Sequence, residues 1–295
     1  MPRLSEIGNS DAVDSAYASR AIVYVEAPAD SDVFTRMVGM AYAHKVDFKA
    51  PRAFGGGCQA VCVQVREERG KGNYQVFGLI DGESASSFGC LDDLIAATGT
   101  IFSLSSNDGV FCLATHELEN LLLLYGDICE FIVNDVNLGN LSTRSRAEVE
   151  ATLRRFAQRF FHAAILKYAA LHLGNSGKVY PTVDIGRFQQ RDASTKSIRT
   201  DLRKEIVDAG LDWHVFSGQV VAIMCAVRSR IRDENVSNEV RSFHMIRLAD
   251  GKGLMNRMRQ HYRASLTIEG HLVRRLVNST YAREFRDEIL MVVGS

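Results

Sequence analysis

The sequence predicts an α/β protein with a mostly parallel sheet flanked by helices, followed by a largely α-helical C-terminal region. Short apolar runs alternate with helical patterns through the first 140 residues, and long helical patterns dominate after about residue 145. Apolar residues make up 46% of the 295 residues and charged residues 24%, which is ordinary for a folded globular chain. Strands that alternate with helices are typical of a parallel sheet covered by helices.

The first strand is predicted at residues 21–25, AIVYV, because a continuous apolar run is expected of a strand buried on both faces. A helix should follow from about residue 31, since apolar residues then recur at helical spacing up to Tyr42. The other elements predicted here are strands at 46–48, 74–80, 101–104 and 110–114, a glycine loop at 55–57, and helices at 58–69, 90–97 and 115–124.

The second part of the chain is predicted to be helical. Helical patterns cover residues 146–172, 197–209, 215–231, 253–262 and 270–293. The first of them places Phe156, Phe160, Ala163, Ala164 and Tyr168 on one broad face. We therefore expect a boundary near residues 139–143, between a domain at 1–140 and a helical, basic domain at 141–295 that contacts nucleic acid, dimerises, or both.

The chain carries no sign of a membrane or an oxidising compartment. Its first residues lack the apolar core of a secretory signal, and no run of about 18 apolar residues occurs. The six cysteines are scattered, and no second pair completes a zinc site with Cys58 and Cys62. We expect a cytoplasmic protein with reduced thiols and no membrane partner.

Charge is distributed unevenly along a chain whose formal net charge is zero. Residues 1–150 hold 11 Lys and Arg against 21 Asp and Glu, whereas residues 151–295 hold 24 against 14. The halves therefore carry −10 and +10. An acidic site beside a basic surface is a pattern that indicates nucleic acid as partner. The alternative, that the two halves attract each other, stays open.

Acidic residues follow two of the predicted strands directly. Glu26 comes after the first strand, with Asp30 four residues on, and Asp81 comes after the strand at 74–80, with Glu83 two residues on. Ligands of open α/β sheets collect at the carboxyl ends of strands, so these carboxylates should converge. Residues 81 and 83 would point to the same side if the backbone there were extended.

Several carboxylates in one crevice repel each other, and a bound divalent cation removes that repulsion. Hard oxygen ligands favour Mg²⁺ or Mn²⁺ over zinc, and a carboxylate that is not a ligand can act as general base or acid in phosphoryl transfer. Two structural alternatives remain: Asp30 could be only a helix cap, and Asp81-Gly82-Glu83 could be only a turn.

Four segments resemble the Toprim family. Residues 22–30, IVYVEAPAD, resemble the first Toprim motif, in which a hydrophobic strand ends in Val-Glu-Gly and an Asp follows three residues later. Residues 77–83, FGLIDGE, resemble the second motif, a strand followed by Asp-x-Asp. Residues 116–122, HELENLL, resemble a Glu-Asn element of the branch related to the overcoming-lysogenization-defect nucleases, and residues 248–254, LADGKGL, resemble its later Gly-Lys element.

The resemblance implies roles for individual residues in a Toprim-like sheet. The residues that match the family's catalytic positions are Glu26, Asp81 and Glu83, and those that match its metal-binding positions are Glu26, Asp30, Asp81, Glu83 and Glu119. Within these sets, Glu26 matches the general base or acid. Glu117 is an alternative to Glu119, which we prefer because it adjoins Asn120. Two positions depart from the motifs: Ala27 stands where Gly is usual, and Glu83 replaces the second Asp.

The resemblance extends to the Toprim effectors of PARIS-type anti-phage defence systems. It implies a Mg²⁺-dependent endonuclease that forms a homodimer when active and is held in check by an ABC-type ATPase of the same system. RNA, and tRNA in particular, is the implied substrate. Two alternatives are a DNA-cleaving Toprim nuclease and a catalytically altered Toprim scaffold that docks a protein partner through its acidic face.

Arginine and lysine residues of the second half are the expected contacts to nucleic acid. Arginine forks suit phosphate oxygens, and such contacts give salt-sensitive binding without sequence choice. The residues selected for this role are Arg199, Arg203, Lys204, Lys252 and Arg257. Other chemistries fit poorly, because Gly55-Gly56-Gly57 lacks the Gly-Lys-Ser/Thr ending of a P-loop and no Gly-x-Ser-x-Gly elbow occurs.

Overall fold

The computed structural model of the protein describes residues 20–51, 56–138, 145–175, 177, 179–181, 195–233, 237–264 and 268–294. Contacts group the chain into two compact units, which are interleaved along the sequence: residues 1–84, 97–114 and 276–295 form the first, and residues 85–96 and 115–275 form the second. The predicted boundary at 139–143 lies outside the described residues.

The strands are β1 Ala21–Val25, β2 Val46–Lys49, β3 Val76–Ile80, β4 Ile101–Ser103 and β5 Val110–Leu113. The helices are α1 Pro28–Val38, α2 Gly57–Gly70, α3 Leu91–Ala96, α4 Leu118–Tyr125, α5 Ile128–Leu138, α6 Arg146–Gly174, α7 Thr195–Asp208, α8 Trp213–Asp233, α9 Asn238–Leu248, α10 Gly251–Tyr262, α11 Ile268–Val277 and α12 Thr280–Gly294. Two 3₁₀ segments occupy Met40–Tyr42 and Gly82–Phe88. None of the described helices has the length and hydropathy needed to span a bilayer.

The first unit contains a five-stranded sheet in the order β2-β1-β3-β5-β4. β1 pairs in parallel with β2 and β3, and β3 pairs in parallel with β5. Only the hairpin of β4 and β5 is antiparallel among these pairs. The predicted α/β class, with a mostly parallel sheet flanked by helices and a helical C-terminal region, is therefore confirmed.

Successive strands are added to opposite sides of β1. The chain passes from β1 to β2 on one side and then to β3 on the other side of β1. Because crossovers between parallel strands are right-handed, α1 and α2 belong on opposite faces of the sheet. The space between the carboxyl ends of β1 and β3 is thus a topological switch point, where open α/β sheets bind ligands.

Close packing fixes the helices on this sheet. All five residues of β1 are buried, as the continuous apolar run predicted. Gly78 in β3 allows α2 to approach, because a Cβ there would lie 2.7 Å from Cγ1 of Val61. On α12 the ring of Phe285 stacks on Phe34 of α1, with 5.3 Å between the centroids. The last helix of the chain therefore completes the core of the first unit.

The second unit is built around the long helix α6, which contacts α5, α8, α9 and α10. The face predicted from Phe156 to Tyr168 is buried, so that prediction is confirmed. Gly253 in α10 allows a close approach to α6, because a Cβ there would lie 2.5 Å from Cε1 of Phe160. Sequence patterns did not predict α5 and α9.

Several element boundaries differ from the predictions. α1 begins at Pro28 rather than near residue 31, since proline suits the first turn of a helix. Gly57 opens α2 instead of lying in a loop, and Gly55 lies outside the described residues. The single helix predicted at 270–293 is wrong. It is interrupted before α12, where Oγ of Ser279 accepts a hydrogen bond from the backbone N of Ala282 and caps the new helix.

Candidate functional site

The strand ends of the first unit bring Glu26 and Asp81 together. Glu26 is the first residue after β1, and Asp81 is the first residue after β3. Oε1 of Glu26 accepts a hydrogen bond of 2.9 Å from the backbone N of Asp81, across 55 residues of sequence. This bond lies at the switch point between two parallel neighbours. The structure thus joins the two acidic positions that sequence reasoning expected to converge.

Glu83 reaches the same region by a different backbone path from the one considered in the sequence. The segment Gly82–Phe88 is a 3₁₀ helix, and the backbone N of Ser84 donates to the carbonyl of Asp81. The backbone is therefore not extended here, and the argument that placed residues 81 and 83 on one side does not hold. Glu83 and Glu26 nevertheless both lie near Cys58, since the charge of each carboxylate raises the pKa of its thiol.

Cys58 is a member of this cluster that sequence reasoning missed. Burial, and then the charges of Glu26 and Glu83, raise the pKa of its thiol, although a hydrogen bond with Ser84 lowers it. A thiol with a raised pKa stays protonated near neutral pH and is a poor ligand for soft metals. The sequence signal was its position in the first turn of a helix behind three glycines, next to the acidic strand ends.

Two glycines bring the start of α2 to Glu26. Gly56 and Gly57 have φ values of +88° and +79°, which glycine adopts without strain. The backbone N of Gly57 donates to the carbonyl of Glu26 at 3.2 Å. A helix N-terminus carries partial positive charge, so it favours the negative charge collected beside it.

The residues after Glu26 show how the chain departs from the Toprim motif without strain. Ala27 has φ −138° and ψ 154°, an extended conformation that does not require glycine. Oδ2 of Asp30 accepts a hydrogen bond of 3.1 Å from the backbone N of Ala27, so Asp30 caps the start of α1. Asp30 therefore acts as a helix cap, and its role as an accessory metal ligand stays a prediction.

The donor atoms of the cluster suit a hard divalent cation. The side chains of Glu26, Asp81 and Glu83 are partly exposed, so that a cation and a substrate can reach them. Their carboxylate oxygens are the ligands that Mg²⁺ and Mn²⁺ prefer, and the protonated thiol of Cys58 does not compete with them. Metal binding by these three carboxylates stays a prediction.

The Glu-Asn element lies in the second unit and is built around Asn120, which is completely buried. Its Oδ1 accepts a hydrogen bond of 2.8 Å from the backbone N of Glu117. Its Nδ2 donates to the carbonyls of Ile246 at 2.6 Å and Ala249 at 3.0 Å. One amide thus holds the start of α4 against the end of α9, more than 120 residues away in sequence.

Glu117 joins the Gly-Lys element to the Glu-Asn element. Oε2 of Glu117 accepts a hydrogen bond of 2.9 Å from the backbone N of Lys252, whose Nζ lies 3.6 Å from Oε1. Glu117 is only 4% exposed, whereas Glu119 is partly exposed in the first turn of α4. The structure therefore gives Glu117 a defined partner in the Gly-Lys element, and the preference for Glu119 as a metal ligand stays a prediction.

Asp250 is a buried acid that sequence reasoning did not select. Its Oδ1 accepts a hydrogen bond from the backbone N of Gly253 and caps α10. Burial, and then the charge of Glu117, raise its pKa. The charge of His116, the hydrogen bond from Gly253 and the charge of Lys167 lower that pKa. Asp250, Glu117 and His116 are therefore buried close together in the second unit.

The basic residues selected from sequence lie on two helices of the second unit. Arg199, Arg203 and Lys204 are exposed on α7. Lys252 is exposed at the start of α10, and Arg257, further along that helix, is partly buried against Phe156. Their contact with nucleic acid stays a prediction.

Fold and site together define an α/β protein with an acidic cluster at the switch point of a mostly parallel sheet. Neither a scan against protein-family models nor a search of curated proteins finds a match for this chain.

Proposed function

We propose that this protein is a metal-dependent nuclease of the Toprim type, with Mg²⁺ or Mn²⁺ as its cofactor. The observation that carries the proposal is the hydrogen bond between Glu26 and the backbone of Asp81, which links the acidic ends of β1 and β3. Carboxylates collected at a switch point are suited to a divalent cation and a phosphorylated ligand. The spacing of the two acidic motifs agrees with the Toprim resemblance.

The roles of the residues follow from their places in the cluster. Asp81 and Glu83 would hold the cation, and Asp30 would contribute as an accessory ligand beyond its role as a helix cap. A bound Mg²⁺ would polarise the phosphodiester and stabilise charge on the leaving oxygen. Glu26 is oriented by the backbone of Asp81, and it transfers a proton during the attack as general base or acid.

The biological setting rests on the family resemblance. It makes the protein a toxic effector of an anti-phage defence system that cleaves RNA, with tRNA as substrate, and causes abortive infection. An ABC-type ATPase of the same system would restrain the protein, and a homodimer would be the active form. The positive charge of residues 151–295 supports nucleic acid as the substrate class. A DNA substrate would require the same cluster and the same chemistry.

Cleavage by the purified protein tests the proposal. The chain is incubated with tRNA and with plasmid DNA, in Mg²⁺, in Mn²⁺ and in EDTA. We expect metal-dependent cutting of tRNA that EDTA abolishes and that Glu26→Ala slows by about 100-fold or more. Asp32→Ala is the matched control, since Asp32 is an exposed acid on the next helix and pairs only with Arg36 among the ion pairs described. This variant should cut like the wild type.

Expression in cells extends the test to a chain that requires release from a partner. Wild-type protein should be toxic, and the Glu26→Ala variant should not be. Cutting of plasmid alone would replace RNA by DNA as the substrate. Failure to cut either nucleic acid, together with equal growth of cells that express either protein, would contradict the nuclease and favour the docking scaffold.

A further inference from the structure

The second unit contains a cluster of cationic side chains around one aromatic ring. Cζ of Arg257 on α10 lies 5.1 Å from the ring centroid of Phe156 on α6, and Cζ of Arg155 lies 5.2 Å from it. The ring of His261 packs edge-on against the same ring, with 5.4 Å between the centroids. Arg159, one turn further along α6, is close enough for the charge of Arg257 to lower its pKa, after the larger effect of burial.

Packing explains why these residues meet. α10 crosses α6 closely at Gly253, where only a hydrogen fits against the ring of Phe160. One turn along α10 from that crossing, Arg257 meets Phe156, which is one turn earlier along α6. His261 follows after one more turn. Two helices therefore place cationic and aromatic groups on one shared face.

Several arginines of the same unit have acidic partners. Arg146 pairs with Asp127 and Glu150, and Arg275 pairs with Glu130. Within the described part of the chain, neither Arg155 nor Arg257 is joined to a carboxylate. Two positive charges that gather in this way, neither joined to a carboxylate, raise the free energy of the folded protein, and an anion bound to Arg155 and Arg257 removes that cost.

We infer that Arg155, Arg159 and Arg257, arranged around Phe156, form a binding site for the phosphates of a nucleic-acid backbone. The planar guanidinium groups can each offer two parallel N–H donors to a phosphate. The Phe156 ring holds two of them in place by cation–π contact, which reduces the conformational freedom lost on binding. This inference deepens the proposed function, because it supplies the surface that binds the substrate of the nuclease.

Binding is measured without cleavage, so that its failure is distinct from failure of the nuclease. The parent protein carries Glu26→Ala, and the probes are a fluorescein-labelled single-stranded RNA and a labelled duplex DNA of mixed sequence. Fluorescence anisotropy gives Kd as a function of KCl concentration. We expect Arg257→Gln and Arg159→Gln each to weaken RNA binding about tenfold. Each should also reduce the slope of log affinity against log salt by about 0.7.

Arg154→Gln is the matched control, because it removes one positive charge from α6 at a residue paired with Glu150. It should change affinity by less than about threefold. Arg155→Glu is the second variant, and its exposed position makes the fold insensitive to it. Unchanged affinity and salt slope in Arg155→Glu, or in folded Arg257→Gln, would overturn the site. Absence of binding to both probes by the parent would overturn it as well, whatever the cleavage assays show.

Discussion

Replacement of Asn120 by alanine should destabilise the protein strongly. The amide of Asn120 is completely buried and makes three hydrogen bonds to backbone, one to nearby Glu117 and two to the distant carbonyls of Ile246 and Ala249. Alanine would leave the N–H of Glu117 and the carbonyls of Ile246 and Ala249 without this partner. Each buried polar group that loses its partner costs about 1–3 kcal/mol. Because such losses are not additive, we expect the free energy of unfolding to fall by about 3–5 kcal/mol.

Urea denaturation followed by circular dichroism measures this change, together with the fall in Tm. Asn256→Ala is the matched control, since Asn256 is an exposed asparagine on α10. It should change the free energy of unfolding by less than about 0.5 kcal/mol. Asn120→Asp tests the orientation of the amide, because a carboxylate of the same shape cannot donate to the two carbonyls. Wild-type stability of Asn120→Asp or of Asn120→Ala would refute the hydrogen-bond network described above.

Three other predictions concern stability. Glu288→Ala removes a carboxylate that accepts hydrogen bonds from the start of β4, and it should lower the free energy of unfolding by about 2–3 kcal/mol in thermal melts. The control is Asp287→Ala at an exposed position, which should lower it by about 0.5 kcal/mol or less. Gly253→Ala should destabilise the protein by about 1–3 kcal/mol, because the added methyl group would meet the ring of Phe160. The control is Gly270→Ala, whose methyl group would meet nothing within 4 Å and should stabilise the helix by up to about 1 kcal/mol. Asp250 has a raised pKa, so its contribution to the free energy of unfolding decreases as pH rises from the ordinary range of an aspartate through the raised pKa. Asp250→Asn keeps the cap, and the free energy of unfolding of this variant should depend less on pH across that range. An unaltered pH dependence would contradict the raised pKa.

Local patterns predicted the elements whose signals lie within one segment. The apolar run at 21–25 and the strand ending at Ile80 were recognised because a strand buried on both faces is apolar throughout. The acids that follow these strands were recognised for the same reason, since their positions depend only on where each strand ends. The long helix α6 was recognised from the periodicity of its buried face.

Errors arose where a boundary depends on a contact made elsewhere. The segment from 270 to 293 has a continuous helical pattern, yet it is divided near Ser279, and α12 then packs on α1 in the first unit. Glu83 was considered in an extended segment, but the backbone after Asp81 turns into a 3₁₀ helix. Neither turn is visible in the spacing of apolar residues, because the chain changes direction there without a change in its composition.

Sequence alone identified the strands, most helices, and Glu26 and Asp81 as the acids at strand ends, since these follow from the chemistry of neighbouring residues. Only the tertiary structure decided that β1 lies between β2 and β3, which brings Glu26 to the backbone of Asp81. It also decided the places of Cys58 and Asn120. The physical reason is that these contacts join residues far apart in sequence, and their free energy depends on burial and hydrogen bonding that exist only in the folded chain.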